Sequence, residues 1–271
     1  MPKSTKNYRI HPVANAILLS LSLTTAMVLP VHSYAEKAVP AEQNQTPAQP
    51  TESVQEDEFS KLKWDIGPKQ ENIANVATLK TLKGDGFLDT AGSDEFLKLT
   101  GNLTSGSTNI LTAADQSWWA TFDFDPSGYV KDDETIDADA LLEQMKSSDA
   151  AANEERQRLG LEKIYTDSWA VPPKYDPVTK HLEWALKVRG EDNTYTINYT
   201  VRLLGRTGVM SATLVSDQEH LDENIVAFKK SIEGFSYNSG EQYSEFKDGD
   251  KVAEYGLAAL VVGGAAAKKK K

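Results

Sequence analysis

Hydrophobic residues recur along this chain with two different periods, and the changes from one to the other divide it into elements. Trp118, Ala120, Phe122 and Phe124 fall on every second position, with Trp119, Thr121, Asp123 and Asp125 between them, the spacing of a strand with two distinct faces. Leu182, Trp184, Leu186 and Val188 alternate in the same way, and so do Tyr195, Ile197, Tyr199, Val201 and Leu203. Gly205-Arg206-Thr207-Gly208 has the glycines of a tight hairpin leading into 209–215, with Arg206 expected as a solvated turn residue. A period near 3.6 takes over in 138–159, where Leu141, Met145, Ala152 and Leu159 form an apolar stripe and Glu143, Lys146, Glu154 and Arg158 a solvated face. Asp137 is its expected N-cap and Gly160 its terminating glycine. A second such helix starts at Asp217, buries Leu221, Ile225, Phe228 and Ile232, and carries Lys229 and Lys230 last, as the helix dipole favours. Upstream the signals weaken. The stretch 75–82 alternates with Val76, Leu79 and Leu82 expected inside, Gly84-Asp85-Gly86 is a turn, and Ser93 or Asp94 caps a short helix through Leu99. Strands joined by hairpins and covered by helices define an α+β domain built on antiparallel sheet.

Both ends carry apolar runs of another kind. Lys3, Lys6 and Arg9 precede an apolar core over 13–29 that Pro30 closes, and Ser33-Tyr34-Ala35 offers small residues where a signal peptidase cuts. Residues 1–35 therefore read as a cleavable export signal, with an uncleaved N-terminal anchor as the alternative. Residues 36–58, rich in Ala, Pro, Gln, Thr and Glu, lack the apolar surface to offset ordering and read as a disordered linker. Folded sequence is expected over 59–250, and 251–271 as an apolar anchor ending in four lysines. As a helix, 255–267 rises about 20 Å against roughly 30 Å of hydrocarbon, a marginal span unless the lysines reach the headgroups. An interfacial helix, packing through Gly256, Gly263 and Gly264, and a soluble tail are the alternatives.

Charge narrows the partners. The chain has 29 Lys and Arg against 40 Asp and Glu, and no acid lies in the first 35 residues. The exported part is thus more acidic than the whole. Such a field repels phosphate backbones and anionic lipid, which argues against nucleic-acid binding and suits cationic partners or divalent cations. There is no cysteine, which excludes disulfides, thiol catalysis and thiolate metal sites.

The sharpest candidate chemistry is 123–134, which fits a twelve-residue calcium loop, D-x-D-x-S-G-x5-E. Asp123, Asp125 and Ser127 supply oxygens at positions 1, 3 and 5, Gly128 the sharp turn, Tyr129 a backbone carbonyl and Glu134 a bidentate carboxylate. Against it stand a strand where an entering helix belongs, Pro126 within the loop and Lys131 at position 9. The alternative is a strand-to-helix turn whose acids favour the following helix N-terminus. Once the leader is removed only His181 and His220 remain, neither in a triad or zinc spacing, and both are expected to be solvated. No phosphate loop or dinucleotide fingerprint is present. The pair Trp118-Trp119 points to opposite faces: either one is exposed and joins Tyr129 and the Pro-rich 169–175 loop in a partner surface, or both are buried, one in the main core and one beneath a helix.

Five blocks, SWWATFDFDPSGYVKDDETIDADALL (117–142), ANEERQRLGL (152–161), WAVPPKYDPVTKHLEWA (169–185), NYTVRLLGRTGVMS (198–211) and AEYGLAALVVGG (253–264), together resemble the bacterial family called domain of unknown function 2167. Its members are described as predicted membrane-anchored proteins. The resemblance spans roughly 64–264 and implies an exported domain tethered by its C-terminal segment. It implies no activity and no functional residues. The expected role is a non-enzymatic binding or scaffolding module facing the periplasm of a Gram-negative-type bacterium, held at the inner membrane, with another envelope protein as partner. A calcium-binding module using 123–134 is the alternative, and a hydrolase with an acid pair comes third.

Overall fold

The computed structural model describes residues 58–263; the expected export signal, all of the expected linker but its last residue and the residues from 264 onward lie outside the described residues. In chain order the elements are β1 (Asp65–Ile66), β2 (Gln70–Ile73), β3 (Ala77–Lys80), β4 (Gly86–Leu88), α1 (Thr90–Leu99), β5 (Asn109–Thr112), β6 (Trp119–Asp125), α2 (Ala138–Arg158), β7 (Ile164–Asp176), β8 (His181–Gly190), β9 (Tyr195–Leu204), β10 (Val209–Ser216), α3 (Leu221–Ile232), β11 (Phe235–Tyr237) and α4 (Leu257–Val261). The alternating segments pair into an antiparallel eight-stranded sheet, ordered β1-β4-β5-β6-β10-β9-β8-β7, and β11-β3-β2 form a second, three-stranded sheet. The α+β architecture expected from the sequence is the one observed.

Register decides what each face of the large sheet meets. In the β8–β9 pair Leu182 faces Arg202, Trp184 faces Thr200 and Leu186 faces Asn198, so the apolar set of β8 shares a face with the polar set of β9. The apolar set of β9 lies on the other side. There Ile197, Tyr199, Val201 and Leu203 join Ala120, Phe122, Met210, Ala212 and Leu214 in a continuous core. Ile73, Ala77 and Leu79 of the small sheet and Phe228 and Ile232 of α3 close it. The second face carries two separate clusters. One, beneath α1, gathers Phe96 and Leu97 with Leu88, Ile110, Trp119 and Val215. The other sets Leu141 and Met145 of α2 and Leu257, Leu260 and Val261 of α4 against Leu182, Trp184, Leu186 and Val188.

Several local expectations shift. Asp89, not Ser93 or Asp94, caps α1, accepting from Gly92 N at 2.8 Å, while Ser93 is buried and donates to Leu88 O. In 75–82 the inward positions are Ala77 and Leu79, with Val76 and Leu82 only half-buried. Helix α2 begins at Asp137 as expected, but its inward line changes character halfway along. Leu141 and Met145 are followed by Asp149, Asn153 and Arg156, and Leu159 is exposed. These polar residues stitch the helix to β7 and its approach. Asp149 accepts from Thr166 N and Oγ1, Asn153 bonds Ile164 N and O, and Arg156 donates to Glu162 O at 2.6 Å. Helix α3 starts at Leu221, four residues later than expected, because Asp217 is spent on the turn before it, accepting from His220 N at 2.7 Å. The Pro-rich 169–175 segment is part of β7; its prolines sit on an edge strand with register shifts, where no ladder bond is needed.

The ends of the domain also differ. Leu257, Leu260, Val261 and Val262, in the run expected as an anchor, are buried in the second-face core. Among the described residues no helix is long and apolar enough to cross a membrane. Arg206 is likewise not a solvated turn residue. Its Nε and Nη2 donate to the two oxygens of Asp250 at 2.7 Å each, and Nη1 donates to Gly240 O, tying the hairpin tip to the C-terminal segment.

This packing sets two expectations. Leu260→Ala should lower unfolding free energy by about 2–5 kcal/mol in urea titration, whereas Val226→Ala on the exposed side of α3 should change it by less than about 0.5 kcal/mol; equal small effects would place α4 outside the core. The Arg206 guanidinium beside Asp250 holds that carboxyl down at about 2. A pKa depressed on folding stabilises fully above the unfolded value near 4, and that contribution disappears as pH falls toward the folded value. Asp250→Asn should therefore flatten the pH dependence of the urea midpoint between about pH 4 and pH 2; an unchanged acid limb would refute the pairing.

Candidate functional site

Between the two clusters of the second face, the inward side chains are polar. The register aligns them in rows across the central strands. Ser211 of β10 lies opposite both Asp123 of β6 and Arg202 of β9, and Thr213 lies opposite both Thr121 and Thr200. Trp184 closes the threonine row on β8, and Trp119 stands at the α1 border. Thr121, Thr200, Ser211 and Thr213 are buried side chains that form a floor of hydroxyls, with Thr200 and Thr213 sharing a hydrogen bond at 3.1 Å. Threonine suits this place: its branched Cβ packs on the pleat while its hydroxyl stays available.

Two charges stand on this floor, and they are not paired with each other. Asp123 is half-buried and accepts from Thr108 Oγ1 at 2.5 Å; burial pushes its carboxyl above the usual range, against the pull of Thr108 and Arg202. Asp125 accepts from the Tyr255 hydroxyl at 2.7 Å, and burial together with that carboxylate pushes Tyr255 up to about 12. Arg202 forms no hydrogen bond or ion pair with any described residue, and its Nε is fully buried without an acceptor. Its guanidinium carbon lies 5.8 Å from the Trp184 ring centroid. Burial pushes its pKa below the ordinary value, opposed by Asp123 and Asp125. A buried N–H of a charged group left without an acceptor costs about 1–3 kcal/mol. The Trp119 Nε1 donor is also buried and unpartnered.

The residues of the 123–134 pattern are distributed, not gathered. Asp123 faces the stripe and Asp125 turns to Tyr255. Ser127 Oγ donates to Asp125 O at 3.4 Å. Tyr129 stacks between Tyr243 and Phe246, with centroids 4.3 and 4.2 Å away, and its backbone pairs with Val252. Gly128 adopts φ +100°, and a Cβ there would come within 2.6 Å of Lys251 O. Glu134 accepts from Ala258 N at 2.9 Å, capping the first turn of α4. Asp132 accepts from Tyr175 and Lys180 at 2.7 Å each. Among the described residues no three His, Asp or Glu side chains are grouped as a metal site.

The other sequence candidates take structural positions. Trp118 enters the core beneath α3, against Phe228, and Trp119 packs on Phe96 beneath α1, so both indoles are buried. His220 is exposed beside Asp217 at 3.0 Å. His181 is half-buried, and burial lowers its pKa. Nearby Glu183 accepts from Tyr199 and Lys229, which joins α3 to the sheet. Sequence reasoning missed Arg202, Ser211, Thr200 and Thr213. The available signal was the polar phase of β9 and β10, which reads as a solvated face until the sheet order shows both strands to be central.

Comparison with known proteins adds family and little chemistry. None of the curated proteins matches the chain. A solved structure, the solution structure of cyanobacterial PsbP (CyanoP) from Synechocystis sp. PCC 6803, is similar at a TM-score of 0.37 and 10% identity, over 63% of this chain and 92% of that one. The family described as "Protein of unknown function (DUF2167)" matches residues 65–270, and the chain belongs to that family.

The two arginines of the β9–β10 hairpin should respond oppositely to loss of charge. Arg202→Met, which removes an unsatisfied buried guanidinium, should stabilise the protein by about 1 kcal/mol or more in urea titration. Arg206→Met, which strands Asp250, should destabilise it. Destabilisation by both would show that Arg202 has a structural partner.

Proposed function

We propose that this member of the family is an exported, non-enzymatic binding module of the bacterial envelope, and that its ligand-receiving surface is the polar stripe on the second sheet face. One observation carries the reading: a central strand holds a buried guanidinium nitrogen with no acceptor, on a floor of hydroxyls, between two tryptophans. A sheet built only for stability fills such positions with apolar side chains, as the opposite face does. Export is supported by the basic, apolar and small-residue order of 1–35, and the acidic balance of residues 36–271 suits a soluble body that attracts cationic partners. Attachment to the inner membrane then belongs to residues beyond Gly263, since Leu257–Val261 is occupied in the core and the lysines at 268–271 suit anionic headgroups.

Binding is tested by adding a low-molecular-weight envelope extract to the full mature protein and recording 1H–15N spectra. The Arg202 Nε–H and Trp184 indole signals should shift, while Trp118, on the opposite face, stays in place. Shifts at Trp118 alone, or none, would remove the reading. Attachment is tested by truncation. A chain ending at Gly263 should remain folded and move from the membrane to the soluble periplasmic fraction, whereas one ending at Gly256 should lose its cooperative melt. Retention of the first on membranes would refute a tether beyond Gly263.

A further inference from the structure

We infer that Arg202 and Asp123 are the two poles of a site for a small zwitterion of amino-acid size, its carboxylate on Arg202 and its ammonium on Asp123. The inference rests on the binding reading above and names the ligand class for the same stripe.

Arg202 supplies the first pole. A guanidinium is a rigid fork that takes a carboxylate through two parallel hydrogen bonds, and here its buried Nε has no acceptor among the described residues. Asp123 supplies the second. Thr108 occupies one of its oxygens and the Thr121 and Ser105 hydroxyls also act on it, while a carboxylate has acceptor capacity for several donors. The two poles sit on strands either side of β10, with Ser211 opposite both. Two strand spacings separate their backbones by roughly 10 Å, with the buried Ser211 between them, so the ligand would lie across β10 from one pole to the other. Trp184, buried beside Arg202, backs the guanidinium on that side.

Charge selects among ligands for this stripe. A bare anion on Arg202 meets Asp123 and Asp125, both of which act on that guanidinium, and a doubly charged phosphate meets them twice as strongly. A bare cation on Asp123 meets Arg202. A molecule carrying both charges a few bonds apart satisfies each pole and adds no net charge to the stripe. Asp125 is held by Tyr255, so it limits the site on that side without offering a second acid pole.

The experiment is calorimetry on the full mature protein with L-alanine, L-glutamate, L-lysine and L-phenylalanine, using acetate, methylammonium and inorganic phosphate as single-charge controls. At least one amino acid should bind, at least tenfold tighter than any control. Arg202→Gln and Asp123→Asn should each weaken it at least tenfold, while Lys229→Gln, on the opposite face, should leave it unchanged. Thermal melts of the variants verify that they fold. Binding of acetate or phosphate as tight as that of the amino acid would overturn the zwitterion and leave a plain anion site. So would amino-acid binding indifferent to Arg202→Gln. If all four amino acids fail while the envelope extract still shifts Arg202 Nε–H, this inference falls and the binding reading stands; if the extract also fails, both fall.

Discussion

A strand presents alternate side chains to opposite faces, and the phase between two neighbouring strands governs this molecule. Because Leu182, Trp184 and Leu186 of β8 pair with Arg202, Thr200 and Asn198 of β9, one face of the sheet changes from apolar to polar across a single strand boundary. A one-residue slip would reverse every side chain of β9, burying the guanidinium in the central core and turning Tyr199 and Val201 outward, so the pairing is strongly specified. From that phase come the filled face under α3 and the small sheet, and the divided face with its two clusters. The stripe between them is a consequence of register in the middle of the sheet, not of a loop laid over its surface.

The C-terminal segment completes this arrangement. It returns past β6, pairs Val252 with Tyr129, receives Asp250 on Arg206, and places Leu257, Leu260 and Val261 over the apolar half of the divided face. Tyr255 reaches Asp125 and Glu134 caps the next turn, so the acids of the 123–134 pattern hold the segment in place. The sequence blocks around Tyr129, Trp184, Arg206 and Tyr255 thus meet in one region of the fold. A segment with the composition of the start of a membrane anchor is a wall of the domain, and it borders the site.

Long periodic segments were readable in advance: β6, β8, β9 and α2 stand close to where alternation and capping put them. The short strands β1, β2, β4 and β11 were not, because two to four residues carry too little periodicity to separate from a turn. Strand β7 was hidden by Pro172 and Pro173, which an edge position tolerates. The inward line of α2 was misjudged past Met145, since Asn153 and Arg156 are buried by bonds to a strand that pattern alone does not place beside them. The site escaped for a related reason. Thr200, Arg202, Ser211 and Thr213 have the spacing of a solvent face, and only the strand order, which no local signal encodes, makes that face a polar stripe in the middle of the sheet.

On the binding reading, Arg202 stands unpaired in the stripe so that something else can pair with it. A high-resolution crystal structure of the mature protein would reveal its partner. An ordered oxygen-bearing ligand or water is expected within hydrogen-bond reach of the Arg202 guanidinium, with Asp123 held apart on Thr108. A guanidinium closed directly onto Asp123 within about 4 Å, the reach of an ion pair, with nothing between them, would contradict the reading.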